Sequence, residues 1–587
     1  MNKFLKIFTF LPLITVIGGC GNTNTSSSST INSSTALSSS SSSIINNVSY
    51  INSETPGTAT IRIYKDNNST SKERYLAPKN VELKYSYNDL NGILANNENV
   101  CPSKGDVNLL VIPVHLPGDE TYNTEKVRKD IEKVFFSKND QDIGFKSLTE
   151  YFYESSYGQL NFQGEVTDWF DVEEYTSIKS PLQVTQGENG TIINEILRKA
   201  VAWAESIKKI DLTKYDNNKD GSIDGIWLVY DHLDYKTELE LEYKKDFIYD
   251  DSNINTSFWN FTAWDWETAP NIEKPTTSGF SWTSFSMMYA PNCERDENGL
   301  INFETNTKLD SHVFIHETGH LLGLDDYYAS DDGSYHPMGK ATMMDQNICD
   351  LDSYSKLVLG WITPYVVYGT SEILIPRATS SKHSVIVIPS NYDDISKEVE
   401  LAISKNKTEN FVYEFNPFSE YLLIDLYTPD GLNEQDTTDL IIDGKTKAPT
   451  TSGVRIYHVD SRIFKAKIIN YDGGTILKYV DDYVWDGYEY DPMNEVILMP
   501  ISNQKIESTS FQLPDMFDYY DQIRLLEATQ TNSFSMDGYM NSQTFFTPQT
   551  KDFDIDSFGY QFFNANYGYN DGHELPFKIN VKTLKEI

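Results

Sequence analysis

Residues 316–326 read His-Glu-Thr-Gly-His-Leu-Leu-Gly-Leu-Asp-Asp, and few stretches restrict a fold as tightly. Two histidines four positions apart lie on one face of a helix, about one turn from each other. Both imidazoles can then grip a single ion, at about 2.0–2.1 Å for zinc. Glu317 stands beside that ion, where a carboxylate can take a proton from water. Gly323 admits a positive φ, so the helix can end and the chain can turn back. Asp326 then returns a carboxylate to the same ion. Asp325, one residue out of register, is the alternative third ligand and otherwise a polar turn residue. His312 lies four residues before His316 but about 12 Å along the axis from His320. The two cannot share an ion, and His312 reads as a core histidine.

The N-terminus carries an export pattern. Lys3 and Lys6 precede an apolar run from Ile7 to Ile17. The run is shorter than the roughly 20 residues a membrane-spanning helix needs and suits the centre of a signal peptide. It ends in Ile17-Gly18-Gly19-Cys20, which resembles a bacterial lipobox. Residues 1–20 are thus expected to be a lipoprotein signal peptide with Cys20 lipidated. A secretory signal with an incidental cysteine is the plainer alternative. Residues 21–49, rich in Ser, Thr and Asn, cannot bury a core and read as a tether. The expected location is the extracellular face of the bacterial membrane, with the lipid as anchor.

The chain has 587 residues, too many for one core, and two or three domains are expected. Asp and Glu number 86 against 48 Lys and Arg, a net charge of −38 that repels nucleic acid. Four cysteines in this length exclude a disulfide scaffold. Cys101 reads as an ordinary cysteine, with a metal-blocking thiolate as the sharper alternative, and a Cys293–Cys349 bridge stays open. Residues 50–100 form a small β-prone segment or pro-segment. Strands at Val107–Leu116 and Ile226–Tyr230 alternate with helices at Thr124–Phe136, after Ser147, and at Ile192–Ile207, so 101–365 is an α+β domain. Beyond it, residues 366–587 break into short strands between turn residues, a β-rich, sandwich-like region.

A second pattern lies at 216–224. Asp216, Asn218, Asp220, Ser222 and Asp224 offer oxygens at alternate positions around Gly221, which suits calcium. Trp227 stands where an EF-hand has its glutamate, so the loop is not a complete EF-hand. An acidic surface turn is the plainer reading. The aromatic run Phe258–Trp266 reads as packing or as a cleft wall, and His458 as a satisfied strand histidine.

The motif residues His316, Glu317, Gly319, His320, Gly323, Asp326 and Tyr328 match the pattern HExGHxxGxxDxY. The chain thereby resembles the M6 family of metzincin-like zinc metallopeptidases, the immune inhibitor A group. Similar blocks stand at 111–114, 147–160, 352–361 and 453–460. The resemblance implies a metzincin-like zincin catalytic domain. It implies Zn²⁺ on His316, His320 and Asp326, with Glu317 as general base, and a methionine turn at Met344. It also implies a calcium loop at 216–224 and protein or peptide substrates. Tyr328 and Tyr354 are both candidates for a transition-state tyrosine. A gluzincin would take its third ligand from a later helix, which the Gly323–Asp326 spacing argues against. The competing class is a catalytically inactive surface adhesin, which has no physical need of Glu317.

Overall fold

The computed structural model describes residues 51–587 except 91–99, 119–121, 180–183, 185–190, 234–259, 290–307, 329–334, 439–445, 482–495, 506–510, 513–518, 559–567 and positions 67, 71, 266–267, 472–473, 501–502 and 537. The segments expected to be signal and tether, with Cys20, and Cys293, Phe258, Trp259 and Trp266, lie outside the described residues. Helices and sheets are both abundant, and the fold is α+β. No helix among the described residues is long and apolar enough to cross a membrane.

The sheet nearest the motif runs in the order Leu160–Val166, Gly105–His115, Ile226–Tyr230, Gly279–Ser284, Phe261–Trp264. Its first four strands are parallel and Phe261–Trp264 is antiparallel. A parallel sheet covered on both faces needs nearly continuous apolar strands. Gly105–His115 meets this by alternation. Leu109 and Val111 face one core with Ile131, Phe135, Phe314 and Ile315. Leu110, Ile112 and Val114 face another with Ile196, Leu197 and Ala200. The first face carries the helices Glu125–Phe136, Leu148–Ser155 and His312–Leu321, and the second carries Thr191–Ser206. Ser147 caps its helix through Glu150 N–H at 3.2 Å. The Glu150 carboxylate accepts Asn139 N–H at 2.5 Å.

A second six-stranded sheet is built from Tyr75–Leu76, Tyr365–Val367, Ile386–Pro389, Glu420–Tyr427, Gly453–Asp460 and Ile523–Leu525. Leu422, Ile424, Val454 and Ile456 pack against a three-stranded sheet of Ser371–Pro376, Thr58–Tyr64 and Lys578–Lys585. This is a two-sheet sandwich. Tyr421, Leu423, Tyr457 and Val459 point the other way, into the core that holds Phe314 and Ile315. Hydrophobic packing therefore runs across the boundary expected between 365 and 366. Thr58–Tyr64 is the middle strand of its sheet, paired on both sides. Residues 51–90 are in this way woven into the sheets of the C-terminal region.

Candidate metal centre

His312–Leu321 lies on the sheet at Phe261–Trp264 and Gly279–Ser284. Trp227 donates its indole N–H to Thr318 Oγ1 at 3.1 Å and pins the helix in rotation. The helix ends as the sequence requires. Gly323 has φ +96°, its N–H donates to His320 O at 2.9 Å, and Leu324 N–H donates to Gly319 O at 3.1 Å. These paired bonds form a Schellman turn with glycine at the left-handed position.

That turn also aims a side chain. His320 Nδ1 lies 2.7 Å from Leu324 O, the carbonyl just past the turn. His316 Nδ1 lies 2.8 Å from Met343 O. A carbonyl only accepts, so each Nδ1 must carry the hydrogen. Each Nε2 of a neutral ring then presents its lone pair. The two Nε2 atoms and Asp326 Oδ1 converge, all within 4.8 Å of one another. Asp326 Oδ1 is 3.0 Å from His316 Nε2 and 3.4 Å from His320 Nε2. Ligands of a tetrahedral zinc with bonds near 2.0–2.1 Å stand about 3.3 Å apart. Oδ1 is buried and has no hydrogen-bond partner. Two imidazoles with bare nitrogens and an orphaned carboxylate oxygen fit a divalent cation. Burial works against ionising Asp326, but imidazoles that carry a proton in place of an ion outweigh it and hold its carboxyl well below the usual range. Asp325 stays outside this group.

Glu317 is buried next to the cluster, and burial pushes its carboxyl up against the pull of His320 and His316. Thr262 on the edge strand donates towards it, with Oγ1 at 3.1 Å from Glu317 Oε2 and 2.9 Å from Glu317 O. Thr262 stands between aromatic neighbours, and nothing in the sequence marks it. Phe261, by contrast, packs edge-on against Trp282, with centroids 4.4 Å apart.

Beneath the helix lies the turn Met343–Gln346. A Cβ on Gly319 would stand 2.5 Å from Met344 Sδ, so glycine is what lets the thioether approach. Met344 O accepts Tyr327 N–H at 2.9 Å, one residue from Asp326. Burial first, and then the nearby Asp326 carboxylate, push the Tyr328 hydroxyl well up. Tyr354 is buried in the core, where its hydroxyl accepts Gln522 Nε2 at 3.1 Å. Of the two tyrosines, Tyr328 is the one beside the cluster.

The loop at 216–224 uses its oxygens on itself. Asp216 accepts the N–H of Asp220 and of Gly221, each at 3.0 Å. Asp220 accepts from Ser222 at 2.8 Å and Asn218 Nδ2 at 2.9 Å. Asp224 Oδ2 accepts Asn217 N–H at 2.5 Å. Among the described residues, no three acidic groups converge here as the motif residues do. Asp224 Oδ1 stays buried without a partner, and burial pushes this carboxyl up to about 7. Cys101 does not face the motif cluster; its thiol donates to Asp224 O at 3.0 Å. Cys101 and Cys349 are buried free thiols. His458 is a buried strand histidine, with Nε2 2.7 Å from Glu420 Oε1.

Residues 114–232 match the family model described as immune inhibitor A peptidase M6, catalytic domain. The matched segment holds the Leu148–Ser155 and Thr191–Ser206 helices, the Ile226–Tyr230 strand and the 216–224 loop, and it ends before His316. No curated protein matches the chain.

Proposed function

We propose, from the M6 peptidase catalytic domain that the match identifies, that this protein is a zinc endopeptidase of metzincin-like fold. The observation that carries the reading is the convergence of His316 Nε2, His320 Nε2 and Asp326 Oδ1, with both Nδ1 atoms tied to backbone carbonyls. These three side chains would hold the ion, over Met344. Zinc bound there would supply Lewis acidity and lower the pKa of a coordinated water towards about 7. Glu317 accepts the proton of the attacking water on its carboxylate and returns it to the departing amine. Its burial beside the cluster, with Thr262 Oγ1 donating to Oε2 at 3.1 Å, holds the carboxylate in place for both halves of that task. Phe261–Trp264 is the edge of its sheet among the described residues. An extended peptide can pair with such an edge, which supports a protein or peptide substrate.

Membrane anchoring through Cys20, and an extracellular location, rest on the N-terminal sequence pattern. Calcium at Asp216, Asn218, Asp220, Ser222 and Asp224 is a separate proposal, supported by the buried, partnerless Asp224 Oδ1. Calorimetric titration of calcium into the protein tests it. An absent heat signal leaves the loop a hydrogen-bonded turn.

The main test uses protein lacking residues 1–20. Incubation with casein should give cleavage that a zinc chelator abolishes. Glu317→Ala should lower the rate by about 100-fold or more while zinc content stays near one per chain. Equal proteolysis in all three samples ends the peptidase reading.

A further inference from the structure

The start of the motif helix and the segment behind the methionine turn meet at one carboxylate far away in sequence. Asn347 and Cys349, which leave the Met343–Gln346 turn, have φ +56° and +63°. A left-handed backbone is unfavourable for a non-glycine residue, so something must hold it. Cys349 is held at both ends. Its N–H donates to Asp436 Oδ2 at 2.7 Å, and its carbonyl accepts the Tyr151 hydroxyl at 3.0 Å. Asp436 is fully buried. Its Oδ2 also lies 3.9 Å from His312 Nε2, and its Oδ1 lies 3.9 Å from Lys447 Nζ. His312 is the first residue of the motif helix. Its Nδ1 faces Asp310 at 3.1 Å, and its ring stacks on Phe145 with centroids 4.2 Å apart. Burial alone would favour a neutral His312, but the carboxylates of Asp310 and Asp436 outweigh it and raise its pKa.

These contacts close a ring. His316 Nδ1–H reaches Met343 O, the chain runs from Met343 to Cys349, Cys349 N–H reaches Asp436, Asp436 faces His312, and one helical turn returns to His316. The His312–Asp436 link is a charge contact at 3.9 Å and not a hydrogen bond, and sliding the helix along the methionine turn would stretch it or break one of the two hydrogen bonds. We propose that Asp436 is a positioning residue for the metal centre, holding the ligand helix in register with the methionine turn. The proposal rests on the reading that His316, His320 and Asp326 bind zinc. Asp436 touches none of the three and acts through His312 and Cys349. An asparagine there keeps an acceptor for Cys349 N–H but loses the attraction to His312. An alanine loses both.

The test compares Asp436→Asn, Asp436→Ala and His320→Ala in protein lacking residues 1–20. Zinc affinity is read by competition with a chromophoric chelator. The visible spectrum of the cobalt-loaded protein and the urea midpoint of the metal-free protein are read beside it. Asp436→Ala should weaken zinc about 10-fold or more, as loss of a supporting partner does elsewhere, and should change the cobalt spectrum. Asp436→Asn should fall between it and the parent, and His320→Ala should lose the metal. Parent-like zinc affinity and cobalt spectrum in a folded Asp436→Asn or Asp436→Ala protein overturn the proposal, even if the urea midpoint falls. If Asp436→Ala does not fold, Asp436→Asn alone decides. Retention of zinc by His320→Ala overturns the ligand assignment instead, and this proposal with it.

Discussion

Replacing Gly323 by alanine tests the turn that delivers Asp326 to the His316–His320 cluster. At φ +96° the residue sits where only glycine is at ease. Forcing alanine there costs about 1–2 kcal/mol. The new Cβ would lie 3.1 Å from Tyr87 Cγ, 3.2 Å from Tyr87 Cβ and 3.3 Å from Val100 Cγ1. Tyr87 and Val100 are both buried, so neither can swing into solvent. Overpacking of this kind adds about 1–3 kcal/mol. The stiffer unfolded chain returns about 0.4–1 kcal/mol. The expected net loss is about 1–4.5 kcal/mol, from these three effects together. Urea unfolding of the metal-free protein should show a lower midpoint with an unchanged slope. Zinc affinity should fall as well, since Asp326 stands three residues beyond the turn. Gly105→Ala is the control, because Gly105 has φ +88° but open space around its Cβ position. It should carry the backbone cost alone. A Gly323→Ala protein as stable as its parent would refute the turn geometry, and with it the route by which Asp326 reaches the site.

Three further outcomes follow from the geometry. Asp224 holds its proton up to about pH 7 in the folded protein, whereas an unfolded aspartate releases it near 4. Folded protein therefore binds the extra proton between those values, and Asp224 takes stability away as pH rises from about 4 to about 7. Thermal melts of Asp224→Asn should lose that part of the slope, and an unaltered slope would show that Asp224 is not buried as described. Thr262→Val removes the hydroxyl at the Glu317 carboxylate and should lower kcat about 10-fold with KM and zinc content held; full activity would deny Thr262 a role in orienting Glu317. Residues 101–365 expressed alone should show no cooperative melt, because Phe314 and Ile315 share a core with Tyr421, Leu423, Tyr457 and Val459. Exposing large side chains at about 1.5–3 kcal/mol each soon exceeds a total stability of about 5–15 kcal/mol.

What the sequence determined by itself was whatever depends on near neighbours in the chain. The spacing of His316 and His320, the glycine at 323 and the carboxylate at 326 are local facts, and local backbone geometry turns them into a helix, a Schellman turn and a returning oxygen. The strand at Ile226–Tyr230 and the helices at Glu125–Phe136 and Thr191–Ser206 were legible for the same reason, since apolar periodicity is read within one element. Tertiary structure alone decided which groups hold those side chains still. Met343 O and Leu324 O are backbone atoms that every residue possesses, Thr262 is an ordinary threonine on a distant strand, and Asp436 is one of 86 acidic residues. Tertiary packing also decided that the later sheet closes the core beneath the motif helix. An alternating strand says that it has two faces, but not what lies against each.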